Sequence, residues 1–292
     1  METSGSTSRA LTEIETHYLY LKEEWDNSTT RSDLIRLMEE KVLVQEQVHV
    51  DSALCLGLGP LETTSVHYLD FDFDQGSGGY DDYTAVTMRQ TRASLRQLLA
   101  FETVIACLRS KFTISNVYFQ DRIFDAMEIK FLQRRGHTVL SFNHAAAGTI
   151  RAWQSDTNSW LVPGLDPALH PLMSSSTMIF APDLDFTVLF ELFYNCRPSL
   201  YLGTNILRCI TSEEYRYRFL PRYYPAEDFP DFLATYDDPL IAKGVRGMHT
   251  TPEQEFVFMW PADLGGEDEG AIEEATLEAE EVRGEMSRVR RQ

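Results

Sequence analysis

The sequence has few cysteines, a shortage of basic residues and no long apolar run. Its four cysteines show no CxxC or metal-type spacing, so we expect free thiols in a reducing compartment. No apolar segment approaches the roughly 20 residues that a membrane helix needs. The N-terminus also lacks the basic and apolar segments of a signal peptide. These absences predict a cytoplasmic and/or nuclear chain without a membrane partner.

The charge of the chain is strongly one-sided. Among 292 residues, 45 are acidic and 26 are basic, which gives a formal net charge of −19. Such a charge repels nucleic acid and anionic membranes, so we expect neither as a partner. Hydrophobic residues make up 43% of the chain, which is enough to build a substantial core.

Familiar catalytic signatures are missing as well. The sequence contains no GxSxG motif, no Walker loop and no protein-kinase signature. Its seven histidines are dispersed without HxxxH or HxxE spacing, so no metal site is predicted. The sequence therefore favours a protein that is not an enzyme, although it does not decide the question.

The spacing of apolar residues divides the chain into three parts. Residues 1–50 are predicted to form an N-terminal helical arm, with one helix from Leu11 to Trp25 and a second from Asp33 to Val44. Residues 51–263 alternate strands with helices, which is typical of an α/β domain. Residues 264–292 form an acidic tail whose apolar positions recur at helical spacing.

The α/β domain is expected to be Rossmann-like, with a mostly parallel sheet of about five to six strands flanked by helices. Two insertions are expected, at about residues 63–91 and 144–175. The predicted strands lie at 53–58, 116–120, 138–142, 176–181, 199–202 and 255–260, and the predicted helices lie at 92–110, 123–135 and 184–194.

A glycine turn follows the first predicted strand. Gly57 and Gly59 stand where a doubly wound fold brings backbone N–H groups close to a ligand, often a phosphate. Glu62 occupies the place of the third glycine of the dinucleotide fingerprint and disfavours a pyrophosphate. Asp121 ends the second strand, where it would accept a ribose hydroxyl or cap the following helix. Together, Gly57, Gly59, Glu62 and Asp121 form the candidate ligand site; the cofactor is unknown.

Several motifs resemble the SRR-like family (sensitivity to red light reduced). They are Cys55-Leu-Gly-Leu-Gly-Pro-Leu-Glu62, Asp121-x-x-Phe124-x-x-x-Glu128-x-x-x-Leu132-x-x-x-Gly136 and Tyr201-Leu-Gly203-x-Asn205. The resemblance covers roughly residues 53 to 205. One departure is that Asp183 and Leu184 stand where the family tends to show His-Cys.

The resemblance implies an intracellular regulatory protein, in a family linked to circadian or light-response regulation and to haem metabolism. We therefore expect a non-enzymatic protein that binds a protein partner through a Rossmann-like scaffold. A small molecule or haem as a further ligand stays open. The alternative is a transferase that binds S-adenosylmethionine or a nucleotide at the glycine loop.

Overall fold

The structure of the chain is a computed structural model. It describes residues 3–61, 80–143, 149–154, 158–163, 165–182, 184, 188–189, 192–193, 196–204, 240–241 and 256–259. The tail at 264–292 therefore lies outside the described residues. No helix in these ranges is both long enough and apolar enough to cross a bilayer.

Two helices open the chain. Helix α1 spans Thr3–Asp26, and helix α2 spans Thr29–Leu37 and continues into a π-helical turn at Met38–Val42. The predicted stripe of α1 is confirmed, because its residues are all buried: Leu11, Ile14, Tyr18, Leu21 and Trp25. Leu19 and Tyr20, which lie outside the stripe, are exposed. Helix α2 starts four residues before the predicted position, since the Ser28 side chain accepts the backbone N–H of Arg31 and caps the helix there.

In the ranges that the structure describes, nine strands and two further α-helices follow. The strands are β1 (Ser52–Leu56), β2 (Asn116–Gln120), β3 (Thr138–Val139), β4 (Thr149–Gln154), β5 (Asn158–Pro163), β6 (Thr177–Ala181), β7 (Leu200–Thr204), β8 (Leu240–Ile241) and β9 (Phe256–Met259). The helices are α3 (Tyr80–Arg109) and α4 (Ala126–Arg134). A short 3-10 helix covers Pro167–Leu172.

Seven of the strands form one mixed sheet in the order β3-β2-β1-β6-β7-β9-β8. Six strands point the same way, and β9 pairs antiparallel with both of its neighbours. The predicted α/β class with a mostly parallel sheet is therefore confirmed. The number of strands exceeds the expected five to six, because the two-residue strand β8 adds to the edge.

One predicted boundary is wrong, and one predicted loop contains strands. Helix α3 begins at Tyr80, not near residue 92, so residues 80–91 of the first expected insertion are helical. The second expected insertion, at 144–175, contains more than a loop: β4 and β5 pair as an antiparallel hairpin, separate from the main sheet.

The central strand β1 is buried on both faces, as is usual for parallel strands. Ala53 and Cys55 of β1 pack into one hydrophobic cluster with α1, α2, α3 and α4. Leu54 and Leu56 pack into a second cluster with residues from 165 to 173 and from 188 to 196. Because successive side chains of a strand point to opposite faces, β1 reads as a continuous apolar run. That burial fixes the position of the loop that follows it.

A polar cluster fastens α1 to the domain. The Tyr18 hydroxyl donates to Glu102 Oε2 at 2.6 Å, and Arg135 donates to Glu102 Oε1 at 2.9 to 3.0 Å. His137 Nε2 lies 3.1 Å from Glu102 Oε1. Burial opposes ionisation of Glu102, but its hydrogen bonds with His137 and Tyr18 and the charge of Arg135 outweigh it and hold its pKa below the usual value.

Candidate functional site

The glycine turn and Asp121 meet at the carboxyl edge of the sheet. Strands β1 and β2 are parallel neighbours with Leu56 paired to Gln120, so both chains leave the sheet side by side. Gly57 and Gly59 have φ values of +63° and +83°, a backbone region that favours glycine. The predicted bend and the predicted proximity of Asp121 are both present in the structure.

Asp121 holds the loop. Its Oδ2 accepts the Gly59 N–H at 2.8 Å, and its Oδ1 accepts the Ile123 N–H at 3.1 Å. Each carboxylate oxygen therefore already accepts a backbone donor. The N–H of Gly59, which would face a phosphate in a nucleotide-binding loop, is directed at a carboxylate of the same chain.

A second carboxylate holds the loop two residues further on. Glu128 is fully buried, and its Oε1 accepts the Leu61 N–H at 2.6 Å. Its Oε2 accepts the N–H of Asp125 at 2.9 Å. Glu128 thereby links the loop to the start of α4. Pro60, between these two held positions, has no N–H to offer a ligand.

Asp121 does not cap α4, so that alternative is wrong. The N-cap is Asp125, whose Oδ1 accepts the N–H groups of Met127 and Glu128 at 2.7 and 2.9 Å. With the return bond from the Asp125 N–H to Glu128, the two residues form a capping box. Helix α4 therefore begins at Ala126 and not near Ile123.

Both glycines are covered by other parts of the chain. A Cβ built on Gly59 would lie 2.7 Å from Ser94 Oγ on α3. A Cβ on Gly57 would lie 3.1 to 3.3 Å from Leu184, which follows β6. Leu184 therefore lies against the glycine turn, just beyond the carboxyl end of β6, which is the neighbour of β1 in the sheet.

The electrostatics of this edge follow from burial. Burial raises the pKa of Asp121 above its usual range, and the N–H bonds from Gly59 and Ile123 oppose that rise. Burial also raises the pKa of the Cys55 thiol, and the nearby charge of Asp121 adds to the shift. Cys55 is therefore a protonated core thiol and not a nucleophile.

A third carboxylate organises the same edge. Asp166 is 1% exposed, and its Oδ1 accepts the N–H of Ala168 at the start of the 3-10 helix. Its Oδ2 accepts the Asn143 N–H at 2.9 Å and the Gln120 Nε2–H at 3.1 Å. Asp166 thus ties the ends of β2 and β3 to the segment before β6.

Sequence reasoning named part of this arrangement. Gly57, Gly59 and Asp121 come together as predicted, whereas Glu62 lies outside the described residues. Glu128 and Asp166 were missed, although Asp125-x-x-Glu128 is a capping-box signature and Asp166 precedes a proline at the first helical position. Within the described ranges, no group of three or more His, Cys, Asp or Glu side chains is arranged to hold a metal ion.

Comparison with known proteins places the chain in a family. No curated protein and no solved structure matches it. A family model, the SRR1 domain, matches residues 29–251 of the 292, which includes the glycine turn, Asp121 and Glu128. The chain therefore belongs to the SRR1 domain family.

Proposed function

We propose that this chain is a regulatory or binding protein that presents its α/β domain to a protein partner and catalyses no reaction of its own. One observation carries the proposal: the loop N–H groups of Gly59 and Leu61 are donated to Asp121 and Glu128. A loop whose donors already serve carboxylates of the same chain is a structural turn, and the added negative charge repels phosphate.

The proposed scaffold is Rossmann-like. Its parallel part has the strand order β3-β2-β1-β6-β7, which follows the pattern 3-2-1-4-5 of doubly wound folds. In such folds, ligands bind at the carboxyl ends of the strands where the order reverses, which here lies between β1 and β6. Leu184 packs on Gly57 at that point, which supports a partner surface over a nucleotide pocket.

The setting we propose is the cytoplasm and/or nucleus, in circadian or light-response regulation, as the family resemblance implies. The experiment is affinity capture from an extract of the source organism, with the intact chain and with a chain lacking residues 264–292. We expect a defined partner that untagged chain displaces. Failure to recover any displaceable partner would overturn the proposal, and equal recovery by both chains would place binding outside the tail.

The alternative is a transferase that binds S-adenosylmethionine or a nucleotide, which is favoured by the meeting of Gly57, Gly59 and Asp121 at one edge. Calorimetry and thermal shift with S-adenosylmethionine, NAD and ATP test it. We expect no heat and no shift at millimolar ligand. Saturable binding that Asp121→Asn weakens and the surface change Glu23→Gln leaves intact would establish the alternative. A Soret band after haem addition would indicate a haem ligand instead.

A further inference from the structure

A second surface, separate from the glycine turn, carries a cavity. Helices α1, α2 and α3 enclose a partly open cavity of about 390 Å³, a volume within the range of small-ligand sites. The C-terminal half of α3 forms its floor, whereas the glycine turn contacts α3 near Ser94. This site goes beyond the proposed function and does not depend on it.

One wall of the cavity is an ordered stripe on α2. Arg31, Ile35 and Glu39 line it at intervals of four residues, so they follow one another along the helix. Eight residues at 1.5 Å each separate the backbones of Arg31 and Glu39 by about 12 Å. Glu39 lies in the π-helical turn, a distortion that is frequent at functional sites. The stripe presents a cation, an apolar centre and an anion in a row.

Neighbouring charges within the described ranges only partly neutralise Arg31 and do not pair with Glu39. Arg31 Nε lies 3.5 Å from Asp26 Oδ1, and Asp26 is shared with Lys22. Glu39 makes no ion pair with any residue in the described ranges. Beside burial, both groups act on the Cys107 thiol, where Glu39 raises the pKa and Arg31 lowers it. The charges of Arg31 and Glu39 therefore both act on Cys107, a residue that lines the cavity.

The other walls combine apolar side chains with charges that are already paired. Lys22 and Asp26 of α1 form an ion pair, and Glu102 of α3 is paired with Arg135. Leu99 and Ala106 of α3 line the floor, and Trp25 of α1 lines the opposite side. The Trp25 Nε1–H is already donated to Thr103 Oγ1 at 3.0 Å, so the indole offers the cavity a hydrophobic surface. A ligand that fits would have an apolar body between an anionic end and a cationic end.

We propose that this cavity binds a short apolar peptide with free ends, about three residues long. Its carboxylate pairs with Arg31, its ammonium pairs with Glu39, and its side chains pack on Ile35 and Leu99. An extended chain advances about 3.3 to 3.6 Å per residue, so three residues span about 10 Å. A single amino acid is too short, because its ammonium and carboxylate share one carbon atom.

The test is calorimetry of the full-length chain with the peptide Ala-Leu-Ala in four forms: free, N-acetylated, C-amidated and blocked at both ends. We expect the free peptide to bind with a Kd of about 1 mM or tighter. Each blocked end should weaken binding by about two- to five-fold, as expected for the loss of one partly exposed ion pair. Bound peptide should also slow alkylation of Cys107, measured by mass spectrometry of the Cys107 fragment.

Variants of Arg31 and Glu39 test which residue pairs with which end of the peptide. In Glu39→Gln the free and acetylated peptides should bind alike, and in Arg31→Gln the free and amidated peptides should bind alike. Glu40→Gln and Arg36→Gln are matched controls, since both side chains are exposed and neither lines the cavity. Absence of saturable binding by about 10 mM, indifference to blocked ends, or equal effects of the control variants would overturn the proposal.

Discussion

Replacement of Glu128 by glutamine tests the central contact of the carboxyl edge. The side chain is fully buried and accepts two backbone N–H groups, from Leu61 and Asp125. Glutamine has the same shape but replaces one acceptor oxygen with a donor. One of the two N–H groups must then face an NH2 group and lose its partner, whichever way the amide is turned.

The cost follows from hydrogen-bond energetics. A hydrogen bond to a charged group contributes about 1.5 to 3 kcal/mol, and a buried donor without a partner costs about 1 to 3 kcal/mol. The two figures partly describe the same lost hydrogen bond, so they cannot simply be added. We expect Glu128→Gln to lower the free energy of unfolding by about 2 to 4 kcal/mol. With an unfolding entropy of about 2.1 cal/mol/K per residue, that loss lowers the Tm of a 292-residue protein by roughly 3 to 7 °C.

The assay is urea unfolding followed by circular dichroism, with Glu23→Gln as control, because Glu23 is exposed on α1 and the substitution removes the same charge. Amide hydrogen exchange should show faster exchange at Leu61 in the Glu128 variant only. A loss of stability no larger than that of the control, with Leu61 still protected, would refute the role we assign to Glu128.

Three further predictions use other residues. Gly59→Ala should destabilise the protein by about 1 to 3 kcal/mol more than Gly136→Ala in urea unfolding. Both glycines have φ +83°, but only at Gly59 would the new Cβ meet another side chain, that of Ser94. Ser94→Ala should therefore recover part of the difference. Glu102→Gln should remove the stability that ionised Glu102 supplies above its usual pKa of 4.5. The free energies of unfolding of wild type and variant should therefore converge as the pH falls through the lowered pKa. A constant difference between pH 7 and pH 3 would contradict this. Asp125→Ala should cost about 1 to 2 kcal/mol through loss of the N-cap, with faster amide exchange in the first turn of α4.

The sequence predicts the regular parts of the fold well. Strand β2 occupies the predicted residues 116–120, and the stripe from Leu11 to Trp25 is buried, because each depends on a local pattern of apolar residues. The start of α3 was missed because residues 80–91 follow an acidic, glycine-rich stretch whose composition suggests a loop.

In the candidate site too, some contacts could be predicted from the sequence and others could not. The proximity of Gly59 and Asp121 follows from parallel neighbouring strands, so local pattern and topology predict it. The contact between Glu128 and Leu61 depends on how α4 packs against the loop, 67 residues apart in sequence, and no local pattern reports that approach. The N-cap of α4 could have been predicted correctly from the sequence, because Asp125 and Glu128 have the spacing of a capping box.

The central position of β1 has a consequence for synthesis of the protein. Ser52 pairs with Asn116 on one side and with Thr177 on the other. One edge of β1 therefore stays unpaired until a segment more than a hundred residues later has been synthesised. Until that segment emerges from the ribosome, the nascent chain exposes an apolar strand edge, which is prone to pair with other chains. Fragments that end before Thr177 should therefore aggregate.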